Sequence, residues 1–248
     1  MHFLSPIKFK NNPLQEAVWE IRFPPAQPEL TEEVSKIIAQ EFPAQYSPIQ
    51  FRPEAENSPD SPETEPAFQP AAQNKPACPK KGPELLLGQK YLSLIFQKPP
   101  AWEHLIPEIT SLAQAVEKAD IISYLVSFSI KHSYCLEIDH QKISEYLNLN
   151  IKLDIFDLTS QPFSLRSEIE VKGVKCRIHL LSPGGTIVFD PRNLSQNVLL
   201  DIECLKNLPR HNSWNAMYDN LEGVNLINDD LFVKILRHKT FGLLEPLN

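Results

Sequence analysis

Residues Asn12 to Pro25 read NPLQEAVWEIRFPP, an alternating stretch with a proline stop at each end. Val18 and Trp19 are apolar, and Ile21 and Phe23 continue at every second position, interleaved with Glu20 and Arg22. That period is the signature of a β-strand with one buried face. Pro24 and Pro25 end it, because neither can donate to a ladder and the first pushes its neighbour out of helical geometry. A strand with such firm stops is expected to be laid down first in a sheet, and it commits the chain to a β-containing fold.

The following segments alternate between helix and strand patterns. Thr31 is placed to cap a helix with Glu32 and Glu33 in its first turn, and Leu30, Val34, Ile37, Ile38 and Phe42 form its apolar stripe. Ser47 to Arg52 reads as a short strand. Glu84 to Gln97 reads as strand again, with a hairpin or bulge at Gly88-Gln89. Trp102, Leu105, Ile106, Ile109, Leu112, Ala113 and Val116 make a helical stripe around Pro107, and Ile121 to Ile138 is a long apolar strand region. Strand, helix, strand, strand, helix, strand is the order of a ferredoxin-like βαββαβ unit. Between its middle strands lies Pro53 to Pro83, rich in proline, alanine, glutamate and serine. It has too little apolar surface to offset its ordering entropy and is expected to be a disordered insertion, 53–83.

The second half predicts a short helix at Ile143 to Asn150. Four antiparallel strands follow at Phe163–Val171, Val174–Leu181, Thr186–Phe189 and Asn197–Cys204, with turns at Lys172-Gly173 and Pro183-Gly184-Gly185. A C-terminal helix is expected over Ser213 to Leu236, interrupted near Gly223 and Asn228-Asp229-Asp230, with a loose tail from Lys239. The fold class is therefore α+β: residues 1–139 a ferredoxin-like half, and residues 140–248 a second antiparallel sheet with C-terminal helices.

The opening strand also resembles the first motif of a sporadically distributed family of uncharacterised bacterial proteins, carried here by Asn12, Pro13, Leu14, Glu16, Arg22, Phe23, Pro24 and Pro25. Two later segments are similar to that family as well. Glu145-Tyr146-Leu147-Asn148-Leu149 matches its acidic-Tyr-hydrophobic-Asn-Leu segment, and VLLDIECL matches its Leu-Asp-Ile-Asp strand with Glu203 in place of an Asp. Lys131, His132, Ser133 and Tyr134 depart from the family's basic-Tyr-Ile-Asn strand end. The resemblance brings no catalytic residue. Its patchy distribution implies an accessory protein of mobile or defence loci.

Composition narrows the chemistry. A net charge of -7 argues against a broad nucleic-acid footprint, and only 7 glycines among 248 residues leave few phosphate-cradling loops. Cys78, Cys135, Cys176 and Cys204 form no C-x-x-C, so reduced thiols are expected rather than a disulfide scaffold or zinc knuckle. The N-terminal MHFLSPIKFKNN lacks the apolar region of a signal peptide, and no run approaches the roughly 20 apolar residues of a membrane span, which reads as a cytoplasmic protein without a membrane partner.

Few residues suggest a site. Arg22 can hold an anion or a partner carboxylate, although an ion pair with Glu20 is the simpler arrangement. A patch joining Arg166, Lys172, Lys175 and Arg177 is the feature that would favour RNA, with Tyr91, Phe96, Tyr124 and Phe128 as stacking aromatics on a ferredoxin-like sheet. Glu137 and Asp139 alternate on one strand and Asp201 and Glu203 on another. Side by side they would gather carboxylates for a metal-dependent hydrolase or nuclease, whereas alternation alone predicts a solvated sheet face. His179 follows Arg177 on one strand face and is expected to be exposed there. The sequence favours a non-enzymatic protein-binding or accessory role with no cofactor or metal. Another protein is the expected partner, RNA binding and the hydrolase are the alternatives, and self-association stays open.

Overall fold

The computed structural model describes residues 9–24, 33–34, 36–38, 40, 47–51, 82–139, 142–149, 152–153, 156–157, 163–182 and 197–247. The chain is α+β, and the strands of its two halves join in one eight-stranded sheet. Strand β1 (Leu14–Arg22) lies near the middle. It pairs antiparallel with β4 (Tyr91–Gln97) on one side and β5 (Ser127–Leu136) on the other. β3 (Glu84–Leu87) pairs antiparallel with β4, and β2 (Ser47–Phe51) adds parallel to β3 at that edge. Beyond β5 come β10 (Val198–Asn207), β9 (Val174–Leu181) and the edge strand β8 (Ser164–Val171), all antiparallel. A separate two-stranded ribbon is formed by β6 (Lys152–Leu153) and β7 (Phe156–Asp157).

The expected second sheet is thus a continuation of the first. The join is β5 against β10, over ten residue pairs from Leu136↔Val198 to Ser127↔Asn207. The physical reason is visible in β5. Phe128, Ile130, Tyr134 and Leu136 are buried on one face, and Ser127 and Ser129 are buried on the other. A strand paired along both edges, with its first four residues buried, sits inside a sheet.

One face of the sheet carries the core. Ala17, Trp19, Ile21 and Phe23 alternate inward from β1, as the period-2 pattern requires. They meet buried Leu105, Ile109, Leu112, Ala113 and Val116 of α2 (Trp102–Lys118), the predicted stripe, in a helix that contains Pro107. Helical residues 33–34, 36–38 and 40, here α1, add buried Val34 and Ile38. The strand predicted from Ile121 begins only at Ser127, because the preceding residues turn inward, where the Leu125 N–H donates to Ser213 Oγ at 2.8 Å.

Two turns need glycine. Gly173 has φ +71° beside Lys172 at +53°, the left-handed pair of a two-residue hairpin joining β8 to β9. At Gly88, between β3 and β4, a Cβ would stand 2.3 Å from the Tyr91 ring.

The C-terminal helix α4 (Ser213–Ile235) is uninterrupted, contrary to the break expected at Asn228-Asp229-Asp230. Asn228 is completely buried, and its amide donates to two sheet carbonyls, Ile202 at 2.9 Å and Ile130 at 3.2 Å. A residue that reads as a breaker instead bolts the helix to β5 and β10. Asn228→Ala is therefore expected to cost about 2–3 kcal/mol, the loss of two buried hydrogen bonds plus a small void, measured as a lower urea midpoint with unchanged slope.

The tail is also ordered, where a loose end was expected. Helix α5 (His238–Leu244) packs on the single turn α3 (Ile143–Tyr146). Thr240 donates to the Tyr146 carbonyl, Lys239 pairs with Glu145, and Phe9 bridges to Pro246. No helix among the described residues is long and apolar enough to cross a membrane. The expected insertion 53–83 and the predicted strand Thr186–Phe189 lie outside the described residues, apart from Gly82 and Pro83.

Candidate functional site

The residues opposite the core-facing positions define a second, polar face of the sheet. Register places Glu20 and Arg22 of β1 beside Ser93 and Tyr91 of β4 and beside Ser129 and Ser127 of β5. Lys131 of β5 faces Glu203 of β10, which faces Arg177 of β9, which faces Glu168 of β8. Directly opposed side chains share a face, so this is one transverse row of alternating charge. Arg22 Nε binds Glu20 Oε1 at 2.8 Å, and Ser93 Oγ donates to Glu20 Oε2 at 2.7 Å. Arg177 Nε binds Glu168 at 3.1 Å, and its Nη1 lies 3.5 Å from Glu203 Oε2, a charge contact without hydrogen-bond alignment. Lys175 also binds Glu168, at 3.1 Å, and Lys131 approaches Asp201 at 3.5 Å.

Arg166, Lys175 and Arg177 do share this face, with Lys172 in the adjoining turn, but Glu168, Glu170 and Glu203 are interleaved with them. The patch is a mixed-charge lattice. The aromatics do not gather on it either. Phe96 and Phe128 are buried in the core, Tyr124 lies outside the strands under Arg210 at 4.7 Å, and only Tyr91 shares the polar face. Arg22 is tied to Glu20 and lies four strands from Arg166 in the sheet order.

The carboxylates are not brought together. Glu137 and Asp139 follow the end of β5, while Asp201 and Glu203 sit within β10 opposite Ser133 and Lys131. Among the described residues no group of three or more His, Cys, Asp or Glu is arranged to hold a metal ion. Burial pushes the Glu203 carboxyl above its ordinary range, opposed by Arg177. His179 is buried rather than exposed, with Nε2 3.0 Å from Ser164 Oγ, and burial lowers its pKa.

On the core side the structure assembles a polar cluster that sequence reasoning missed. His132 of β5 is buried, with Nδ1 3.1 Å from the Tyr134 hydroxyl and 3.7 Å from Asp229 Oδ1 of α4. Asn225 donates to Asp229 at 3.1 Å, Tyr134 stacks on Phe232 at 3.8 Å, and Trp102 of α2 edges the His132 ring. Burial lowers the His132 pKa to about 4 and raises that of Asp229 to about 7, so the pair is held neutral. Nothing in the sequence spacing joins His132 to a residue 97 positions later.

The family-like segments serve the fold. Asn12 Oδ1 accepts the Leu14 N–H at 3.0 Å, and the Pro13 carbonyl accepts from Cys135 at 2.9 Å. Asn148 donates to the Lys234 and Leu236 carbonyls at 2.8 and 3.0 Å, satisfying acceptors that the end of α4 leaves open.

The last feature is an edge. β8 ends the sheet, and among the described residues no strand pairs with its outer side. Most of its residues are exposed on both faces, including Ile169 at 38%. On the core side α4 packs against β10 and β5, and Leu165 and Val171 beyond them are only half-buried. Such an edge has backbone donors and acceptors ready for another strand. Compared with models of protein families, with curated proteins and with solved structures, the chain finds no match.

Proposed function

We propose that this chain is a non-enzymatic protein-binding or accessory protein, and that its partner contributes an extended segment that pairs with β8. The observation that carries this reading is the outer edge of β8, unpaired among the described residues, where Leu165, Ile169 and Val171 remain partly exposed beyond α4. Strand addition supplies affinity through main-chain hydrogen bonds and selectivity through alternate side chains. The partner segment is apolar at the positions meeting Leu165, Ile169 and Val171. On its other side it meets the mixed-charge face that carries Arg166, Glu168 and Glu170.

The finer reading of residues 1–139 as ferredoxin-like belongs to the same proposal. Its support is the antiparallel order β3-β4-β1-β5, with α1 following β1 and α2 connecting β4 to β5. Membership of the Asn-Pro-Leu…Arg-Phe-Pro-Pro family, with an accessory role at a mobile or defence locus, is likewise proposed, on the three motif segments.

The test is capture of the tagged protein from its own host, with and without nuclease, alongside an Ile169→Lys/Val171→Lys variant. The expected result is a stoichiometric protein that survives nuclease and is lost from the variant at unchanged melting temperature. Nucleic acid that leaves at raised salt, in place of a protein, overturns the proposal in favour of RNA binding. Recovery of the chain alone as an oligomer overturns the accessory role.

A further inference from the structure

Cys176 of β9 and Cys204 of β10 are directly opposed in the sheet register, on its core side. Both are buried, and the Cys204 thiol donates to the Cys176 sulfur across 3.3 Å. Opposed residues in antiparallel strands have Cα atoms about 4.5 or 5.5 Å apart, and both spacings fall within the range that a disulfide spans. Closing the remaining sulfur gap of about 1.3 Å calls for side-chain rotation, not for parting the strands. The third described thiol, Cys135, lies on the polar face beside Asn197 and cannot reach either sulfur.

We propose that Cys176 and Cys204 are a reversible dithiol–disulfide pair, oxidised by hydroperoxides. The two thiols are chemically unequal. Accepting the Cys204 hydrogen bond favours thiolate at Cys176, while donating that bond, together with burial, holds Cys204 protonated. Cys176 faces Ile169 of the exposed edge strand, whereas Cys204 lies on β10 against α4, so Cys176 is the sulfur that meets peroxide and attacks it. Its thiolate displaces water from hydrogen peroxide, with one proton taken up, and becomes a sulfenic acid. The Cys204 sulfur then attacks that sulfenic sulfur, losing its proton and expelling a second water. Two thiols and one peroxide thus give one disulfide and two waters, with two electrons passing from sulfur to peroxide. Entry is from the β8 side. β9 is one strand from an edge that is unpaired among the described residues, and α4 packs on β10 and β5. Oxidation consequently needs transient opening of β8 from β9 and proceeds slowly. A closed bridge ties β9 to β10 and so braces the sheet next to its open edge.

The experiment treats the reduced full chain with hydrogen peroxide, blocks remaining thiols in denaturant and maps peptides by mass spectrometry. The expected result is loss of two alkylatable thiols, a peptide linked through Cys176 and Cys204, and full recovery by dithiothreitol. Cys135→Ser should behave as the wild type. Cys204→Ser should leave Cys176 without a resolving thiol, so that sulfinic acid or an intermolecular disulfide accumulates there. If that variant does not fold, the wild-type peptide map alone decides. Retention of both thiols through prolonged oxidation, or linkage through Cys135 or Cys78 instead, overturns the proposal.

Discussion

Asp229→Asn is expected to make the protein labile to acid in a way the wild type is not. His132 is neutral in the fold, with its pKa brought from 6.5 to about 4 by burial. Alone, it makes stability fall as pH drops through 6.5 towards 4, because the unfolded chain binds a proton that the folded chain refuses. Asp229 has the opposite sign. Its pKa is raised from 3.8 to about 7, so the folded chain binds a proton that the unfolded chain releases, and stability falls as pH rises through that window. Between pH 4 and 6.5 the unfolded chain carries one proton on His132 and the folded chain carries one on Asp229. The proton counts match, and the pair contributes almost no pH dependence.

Breaking the match exposes each half. In Asp229→Asn the His132 half remains, worth about 3 kcal/mol between pH 6.5 and 4. In His132→Gln the Asp229 half remains, with a comparable loss between pH 4 and 7. Urea unfolding across that range, read as differences from the wild type, should therefore give slopes of opposite sign. Glu103 of α2, Tyr134 of β5 and Cys204 of β10 face the same cluster and stay in place in both variants. Parallel slopes would show that the two groups do not exchange a proton on folding.

Arg177→Met is expected to destabilise the protein by about 3 kcal/mol at pH 7. The Arg177 and Glu203 side chains keep only 14% and 7% of their exposure, so removing the guanidinium strands a buried carboxylate. Arg177 also holds Glu168 on the neighbouring strand, which couples β8, β9 and β10 through one side chain. The loss depends on pH with a definite sign. Burial already raises the Glu203 pKa against the pull of Arg177, and without that pull it rises further. As pH falls, the stranded carboxyl takes up a proton and the gap between variant and wild type narrows. A gap that is constant from pH 7 to 5 would place the cost in lost packing of the arginine stem instead.

How much of this was legible depends on the range of the signal. The strand from Leu14 to Arg22 and the stripe from Leu105 to Val116 are local periodicities, and both appear in the structure as read. Lys172-Gly173 is equally local, a two-residue turn needing positive φ. The joining of the two halves is not local. β5 shows serine at 127, 129 and 133 on one face, with Lys131 between, and such small polar residues suit the inside of a sheet as well as its surface. Nothing in that pattern names β10 as the neighbour. Asn228 misled because an Asn-Asp-Asp run resembles a helix break, whereas its amide finds sheet carbonyls far away in sequence. Arg166, Lys175 and Arg177 share one face of the sheet, but the acidic residues between them, Glu168 and Glu170 of β8 and Glu203 of β10, come from two strands, and only register brings those among the basic ones.

Amide hydrogen exchange across β8, with and without the captured partner, is the most direct measurement. Strand addition is expected to slow alternate amides between Ser164 and Val171, those whose N–H groups point away from β9, and to leave the already bonded ones unchanged. Exchange at β8 that does not respond, with protection appearing instead over Arg22, Lys131 or Arg177, would contradict an edge interface and move the binding surface to the polar face.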